Sequence, residues 1–124
     1  MDEEDVLTLS LSGDLDVGTQ AAAAARIAQA LDQAPRFLVL DLRDVEFLGS
    51  AGLSVLIEAQ RAAAARTISV CLVATSQATL LPLRLTGLTA LFPVFTSPAE
   101  AALSLHAQRE QTGVVPGIGP DVRQ

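Results

Sequence analysis

The apolar run Phe37-Leu38-Val39-Leu40 continues into Asp41-Leu42-Arg43-Asp44-Val45-Glu46-Phe47-Leu48 and breaks at Gly49-Ser50-Ala51-Gly52-Leu53. Few arrangements accommodate this. A continuously apolar, branched segment suits a central strand covered on both faces. The glycines and serine that follow predict a loop and then a helix from Ala51 to about Ala65, with Ser50 as its N-cap and Leu53, Leu56, Ile57 and Ala64 as its buried stripe. A serine in that position lies outside the carboxyl end of a strand, where open α/β sheets present their working residues. Its hydroxyl is a candidate phosphate acceptor.

Before this stretch, Leu7, Leu9 and Leu11 alternate with Thr8, Ser10 and Ser12, the period of a strand with one open face. Gly13 to Asp16 predicts a turn and Val17 to Leu31 a helix, in which Ile27 and Leu31, with Ala23, Ala24 and Ala30, form the buried side. The alanines 21–25 read as helix propensity and close packing. After the second helix, Ile68 to Val73 predicts another strand, Thr75 to Thr79 a polar turn, and Leu80 to Leu85 a short helix closed by Gly87. Pro82 is admissible there in a first turn capped by Thr79 or a near neighbour. Leu91 to Phe95 predicts a last strand, at an edge because of Pro93. Ser97-Pro98-Ala99-Glu100 is a strong helix start, with a serine cap, proline at the first helical position and glutamate closing a capping box. That helix is expected to run to about Gln108. The Gly/Pro-rich composition of 109–124 predicts a disordered tail, which leaves one domain over residues 6–108. Strands alternating with helices imply an α/β fold with a mainly parallel sheet and right-handed crossovers.

The chain has 124 residues and is half hydrophobic, enough for one domain with its own core. Eight Lys plus Arg against fourteen Asp plus Glu give a formal charge of −6, and four Phe are the only aromatic residues. Nucleic acid is therefore not an expected partner, since its phosphates call for clustered base and its bases for exposed rings. No apolar run approaches the roughly eighteen residues of a membrane span, and no secretory leader pattern opens the chain. The expectation is a cytoplasmic protein that does not engage membranes. Cys71 is the only cysteine and falls inside an apolar run, so it reads as a small buried hydrophobe.

Catalytic candidates are few. His106 is the only histidine and reads as a partner for the C-terminal end of the last helix. There is no metal-ligand spacing, no phosphate loop with its lysine, and no relay to Ser50, so the expectation is a non-enzyme without metal or cofactor. The acidic residues Asp14, Asp16, Asp44 and Glu46 all follow strands and, in parallel neighbours, would share a rim with Ser50. Two readings are open for them: turn formation and capping, with Asp16 bonding amides at the start of the first helix, or an acidic face toward a partner. Val55 is expected near the exposed side of the second helix, beside Glu58, either as an ordinary surface valine or as part of a docking surface.

From about Leu7 to Leu105 the chain resembles the STAS domain, the family of bacterial anti-sigma factor antagonists. Gly13-Asp14-Leu15-Asp16 matches the family's corner after a strand, and Gly49-Ser50-Ala51-Gly52-Leu53 its Asp-Ser-Ser/Thr-Gly-Leu signature. Gly49 stands where the family has aspartate and Ala51 where it has a second hydroxyl. The resemblance implies a strand-helix superhelix with a mainly parallel sheet of four to five strands and about four helices. The family places a further short strand before Leu7, hairpin-paired to it, for which the chain begins too late; either that edge is missing or the given start is internal. The resemblance also implies that the unphosphorylated protein binds a serine-kinase anti-sigma factor and so releases a sigma factor. Phosphorylation of Ser50 would switch it off and a serine phosphatase would restore it. The docking surface would comprise Asp14, Asp16, Gly49, Ser50, Ala51, Gly52, Val55 and Glu58. The alternative is a stand-alone STAS subunit regulating a lipid-transport ABC system.

Overall fold

The structure, a computed structural model, describes residues 5–114. Strands β1 (Val6–Leu15), β2 (Phe37–Leu48), β3 (Ser69–Val73) and β4 (Val94–Phe95) alternate with helices α1 (Gln20–Asp32), α2 (Ser50–Ala65), α3 (Gln77–Leu85) and α4 (Pro98–Val114), and a 3₁₀ turn at Leu88–Ala90 precedes β4. The sheet order is β1-β2-β3-β4 and every pairing is parallel. When consecutive parallel strands add in one direction with right-handed crossovers, the crossover helices fall on one face. Accordingly α1, α2 and α3 pack on the Leu38, Leu40 and Leu72 side. The opposite face, Phe37, Val39, Cys71 and Val73, is closed by Ala101 and Leu105 of α4. Cys71 lies in this second layer, where burial pushes its thiol up to about 11. A thiol so protonated is a packing group and not a nucleophile.

Element boundaries differ from the sequence reading at several points, each for a local reason. Helix α1 begins at Gln20 and not at Val17, because Asp16 and Thr19 close the preceding turn on each other: the Thr19 amide donates to Asp16 Oδ1 and the Asp16 amide to Thr19 Oγ1, both at 3.1 Å. Helix α3 starts after Ser76, so Thr79 is not its cap; it is fully buried, its hydroxyl donating to the Ser76 carbonyl at 3.2 Å. Pro82 therefore sits beyond the first turn of a nine-residue helix. The predicted last strand shrinks to Val94–Phe95, at the sheet edge. Helix α4 opens with the expected serine cap, Ser97 Oγ accepting the Glu100 amide at 3.0 Å, while Glu100 Oε1 reaches one residue past the cap to accept the Thr96 amide at 2.7 Å. It continues to Val114, past the expected end at Gln108, so His106 lies within the helix and not at its end. Residues 115–124, which carry the rest of the expected tail, lie outside the described residues.

Candidate functional site

Strand β2 is longer than its apolar run because two β-bulges extend it. Against β1 the register passes from Ser10↔Asp41 to Ser12↔Asp44, and again from Gly13↔Val45 to Asp14↔Phe47, each time with one extra residue on β2. Each bulge leaves two consecutive residues outside. Arg43 and Asp44 face solvent, then Glu46 and Phe47, while Leu42, Val45 and Leu48 all turn into the core. Strict alternation from Val45 would have carried Phe47 inward with it. Instead its ring is 53% exposed.

The chain then turns at Gly49, which is the N-cap of α2, with Ser50 its first helical residue. Ser50 is thus not the cap expected from the sequence. It is exposed, and no hydrogen bond ties its hydroxyl to the described chain. The Leu53 amide bonds to the Gly49 carbonyl at 3.0 Å and the Gly49 amide to the Leu15 carbonyl at 3.0 Å. Between them, the amides of Ser50, Ala51 and Gly52 are the donors that a helix N-terminus leaves open. Gly52 is buried against the end of β1, where a Cβ would stand 2.7 Å from Leu15 Cβ and 2.8 Å from both the Leu15 carbonyl oxygen and Leu48 Cδ1. Only a bare backbone fits there, and this contact sets Ser50 beside the β1 corner.

Asp14 and Asp16 flank Leu15 on that corner, and Asp14 stands opposite Phe47 in the register. Asp16 closes the turn before α1 by accepting the Thr19 amide and does not cap the helix, which has no side-chain cap, and the Thr19 hydroxyl donates to the Asp14 carbonyl at 2.6 Å. The structure therefore gathers Asp14, Asp16, Gly49, Ser50, Ala51 and Gly52 at one end of the sheet. Asp44 and Glu46, with Ser12, Gly13, Arg43 and Ser76, line an open hollow of about 760 Å³.

Val55 is 5% exposed and belongs to the core, contrary to its expected place on the exposed side. The buried face of α2 is Gly52, Val55, Leu56, Ala59 and Ala63, while Leu53 and Ile57 are half-buried and Ala64 is exposed. The face is rotated because α2 packs on α1 as well as on the sheet. Along that seam runs a mostly apolar groove of about 520 Å³, with Val55 and Ala59 in its lining and Val17, Gln20, Ser54 and Glu58 also on its walls. Glu58 is exposed, as expected, and pairs with Arg61 at 3.1 Å.

Two features had no place in the sequence reading. One is the outward Phe47 together with Val17, which is 81% exposed. The other is Asp41, a buried carboxylate on β2. It is gripped by Arg43, whose Nη2 donates to Oδ2 at 2.8 Å and whose Nε donates to Oδ1 at 3.0 Å. Those hydrogen bonds, with the Arg43 amide and the cationic charge, hold the Asp41 carboxyl below the usual carboxylate range against the opposing effect of burial. An Asp-x-Arg at the end of a buried strand was the available signal. Among the described residues no cluster of three or more His, Cys, Asp or Glu could hold a metal ion, and no helix is long and apolar enough to cross a membrane.

Comparison with known proteins completes this geometry. The STAS domain model matches residues 2–101. The anti-sigma-F factor antagonist RsfB of Mycobacterium tuberculosis is 33% identical over 108 residues, covering 87% of this chain and 88% of that protein. The crystal structure of an anti-sigma factor antagonist from Mycobacterium paratuberculosis superposes with a TM-score of 0.77 at 34% identity, over 86% of this chain and 90% of that one. The STAS domain of a SulP transporter from Vibrio cholerae superposes with a TM-score of 0.67 over 87% and 88% of the two chains, and at 24% identity it speaks for the fold alone. With its four-stranded parallel sheet, its corner at Gly13–Asp16 and its glycine-flanked helix start at Ser50, the chain belongs to the STAS domain family.

Proposed function

We propose that this chain is a cytoplasmic anti-sigma factor antagonist and not an enzyme: unphosphorylated, it captures a serine-kinase anti-sigma factor and thereby frees a sigma factor. In this reading Ser50 Oγ attacks the γ-phosphorus of ATP held by the kinase, ADP leaves, and the hydroxyl proton passes to a base on the kinase. A serine phosphatase hydrolyses the ester and restores capture. Docking lies within residues 6–108. The observation that carries the reading is the exposed Ser50 hydroxyl at the first position of α2, beside three open amides. A phosphate there adds about −1.5 to −2 charge at pH 7, which the amides and the helix dipole accommodate. The fold persists while the charge of the docking surface changes. The antagonists of 33% and 34% identity support this reading.

The test is phosphosite mapping after incubation with a purified serine-kinase anti-sigma factor of the source organism and Mg-ATP. Phosphate on Ser50, absent from Ser50→Ala, is expected. An active kinase that leaves Ser50 unmodified contradicts the proposal.

A further inference from the structure

Phe47 is the exposed aromatic of the described chain: Phe37 and Phe92 are buried and Phe95 is half-buried. A lone exposed apolar side chain is ordinary on a protein surface. Three observations set this one apart. The second bulge of β2 is what turns it outward, since Val45 and Leu48 on either side remain in the core. The ring is also seated on the residue before Ser50, for a Cβ at Gly49 would lie 2.8 Å from Phe47 Cε2 and 3.2 Å from Cζ. Finally, its surroundings are acidic: Asp14 is its partner in the register, Asp16 lies on the same corner, and the chain as a whole carries −6.

We infer that the Phe47 ring, held over Gly49, is the apolar anchor of the surface that carries Ser50, and that it enters an apolar socket ringed by Lys or Arg on the docking partner. The inference rests on the proposed function and adds to it the contact through which phosphorylation is sensed. An aromatic ring with two side-chain torsions is ordered on binding at small entropic cost, and such rings dominate interfaces. Phosphate on Ser50 would stand beside that ring, and a dianion next to an apolar socket must be desolvated for docking to occur. Glycine at 49 has a structural reason on this account. Any side chain there would push the ring from its seat.

The experiment measures affinity for purified serine-kinase anti-sigma factors of the source organism by calorimetry, for wild type, Phe47→Ala, Phe47→Leu, Gly49→Ala and the Phe47→Ala/Gly49→Ala pair. Leu103→Ala, an exposed apolar residue on α4, serves as control. Thermal midpoints read beside the affinities separate binding from folding. The expected result is that Phe47→Ala weakens binding at least tenfold and Phe47→Leu less, with both midpoints close to wild type. Gly49→Ala should weaken binding when Phe47 is present and add little when it is absent, and Leu103→Ala should have no effect. Wild-type binding that survives Phe47→Ala unchanged overturns the anchor and leaves the proposed function standing. No binding by the wild type to any of these partners overturns the proposed function, and the anchor with it.

Discussion

Gly52 approaches Leu15 so closely that a Cβ on the glycine would stand 2.7 Å from the leucine Cβ and 2.8 Å from its carbonyl oxygen. This contact joins the start of α2 to the end of β1, and with it the two halves of the site. One of the atoms that would clash is backbone, so rotamer change cannot relieve the overlap. Gly52→Ala is expected to cost about 1–3 kcal/mol, in the range of overpacked cores. A thermal melt checks the loss, and amide shifts at Ser50 and Asp16 would report the displaced helix start.

Helix α2 ends in a Schellman arrangement, the Ile68 amide bonding to the Ala63 carbonyl at 2.8 Å and the Thr67 amide to the Ala64 carbonyl at 3.1 Å. This places Thr67 at φ +58°, left-handed backbone that a β-branched residue adopts at a cost. Thr67→Gly should therefore stabilise the protein by about 1 kcal/mol, the relief of that conformation outweighing the added freedom of the unfolded glycine. Denaturant unfolding at constant m-value measures the gain.

The Asp41–Arg43 pair makes a prediction about pH. The folded carboxyl titrates below its ordinary value because of the arginine. Its contribution is therefore complete above the unfolded pKa of about 3.9 and is lost as pH falls through the lower folded value. Asp41→Asn should be less stable than wild type at neutral pH, and the two stability curves should converge below about pH 4. Urea unfolding from pH 7 to pH 3 reads both. Parallel curves over that range would mean the pair contributes nothing that depends on the carboxylate charge.

Much of this architecture can be read from the residues. The buried strand at Phe37, the alanine-rich α1 with Ala23, Ile27 and Leu31 inward, and the serine cap at Ser97 all carry strong local signals. So does the turn at Asp16, whose carboxylate accepts the Thr19 amide, although α1 itself begins at Gln20 without a side-chain cap. What escaped is what depends on tertiary context. Bulges in β2 obey no period, so the outward Phe47 could not be phased from sequence. In α2 the alanines weaken the helical period, and the buried face is set by Gly52 against Leu15 and by α1, so Val55 turns inward where the period alone points it outward. Ser50 moved from cap to first helical residue for a related reason: Gly49, fixed by the Leu15 carbonyl, already occupies the cap.

That shift sharpens the central test. Because Ser50 supplies no capping bond, Ser50→Ala should leave the thermal midpoint near wild type, well short of the roughly 0.5–2 kcal/mol that loss of a serine cap costs. Ser50→Asp, placing charge where the dipole favours it, should be at least as stable as wild type. Function should separate what stability does not. The most direct measurement is the affinity of stoichiometrically Ser50-phosphorylated protein for the serine-kinase anti-sigma factor, beside the unmodified protein and Ser50→Ala. Tight binding by the latter two and a loss of at least tenfold on phosphorylation are expected, with all three equally folded. Equal binding by the phosphorylated and unmodified forms would contradict the proposed function.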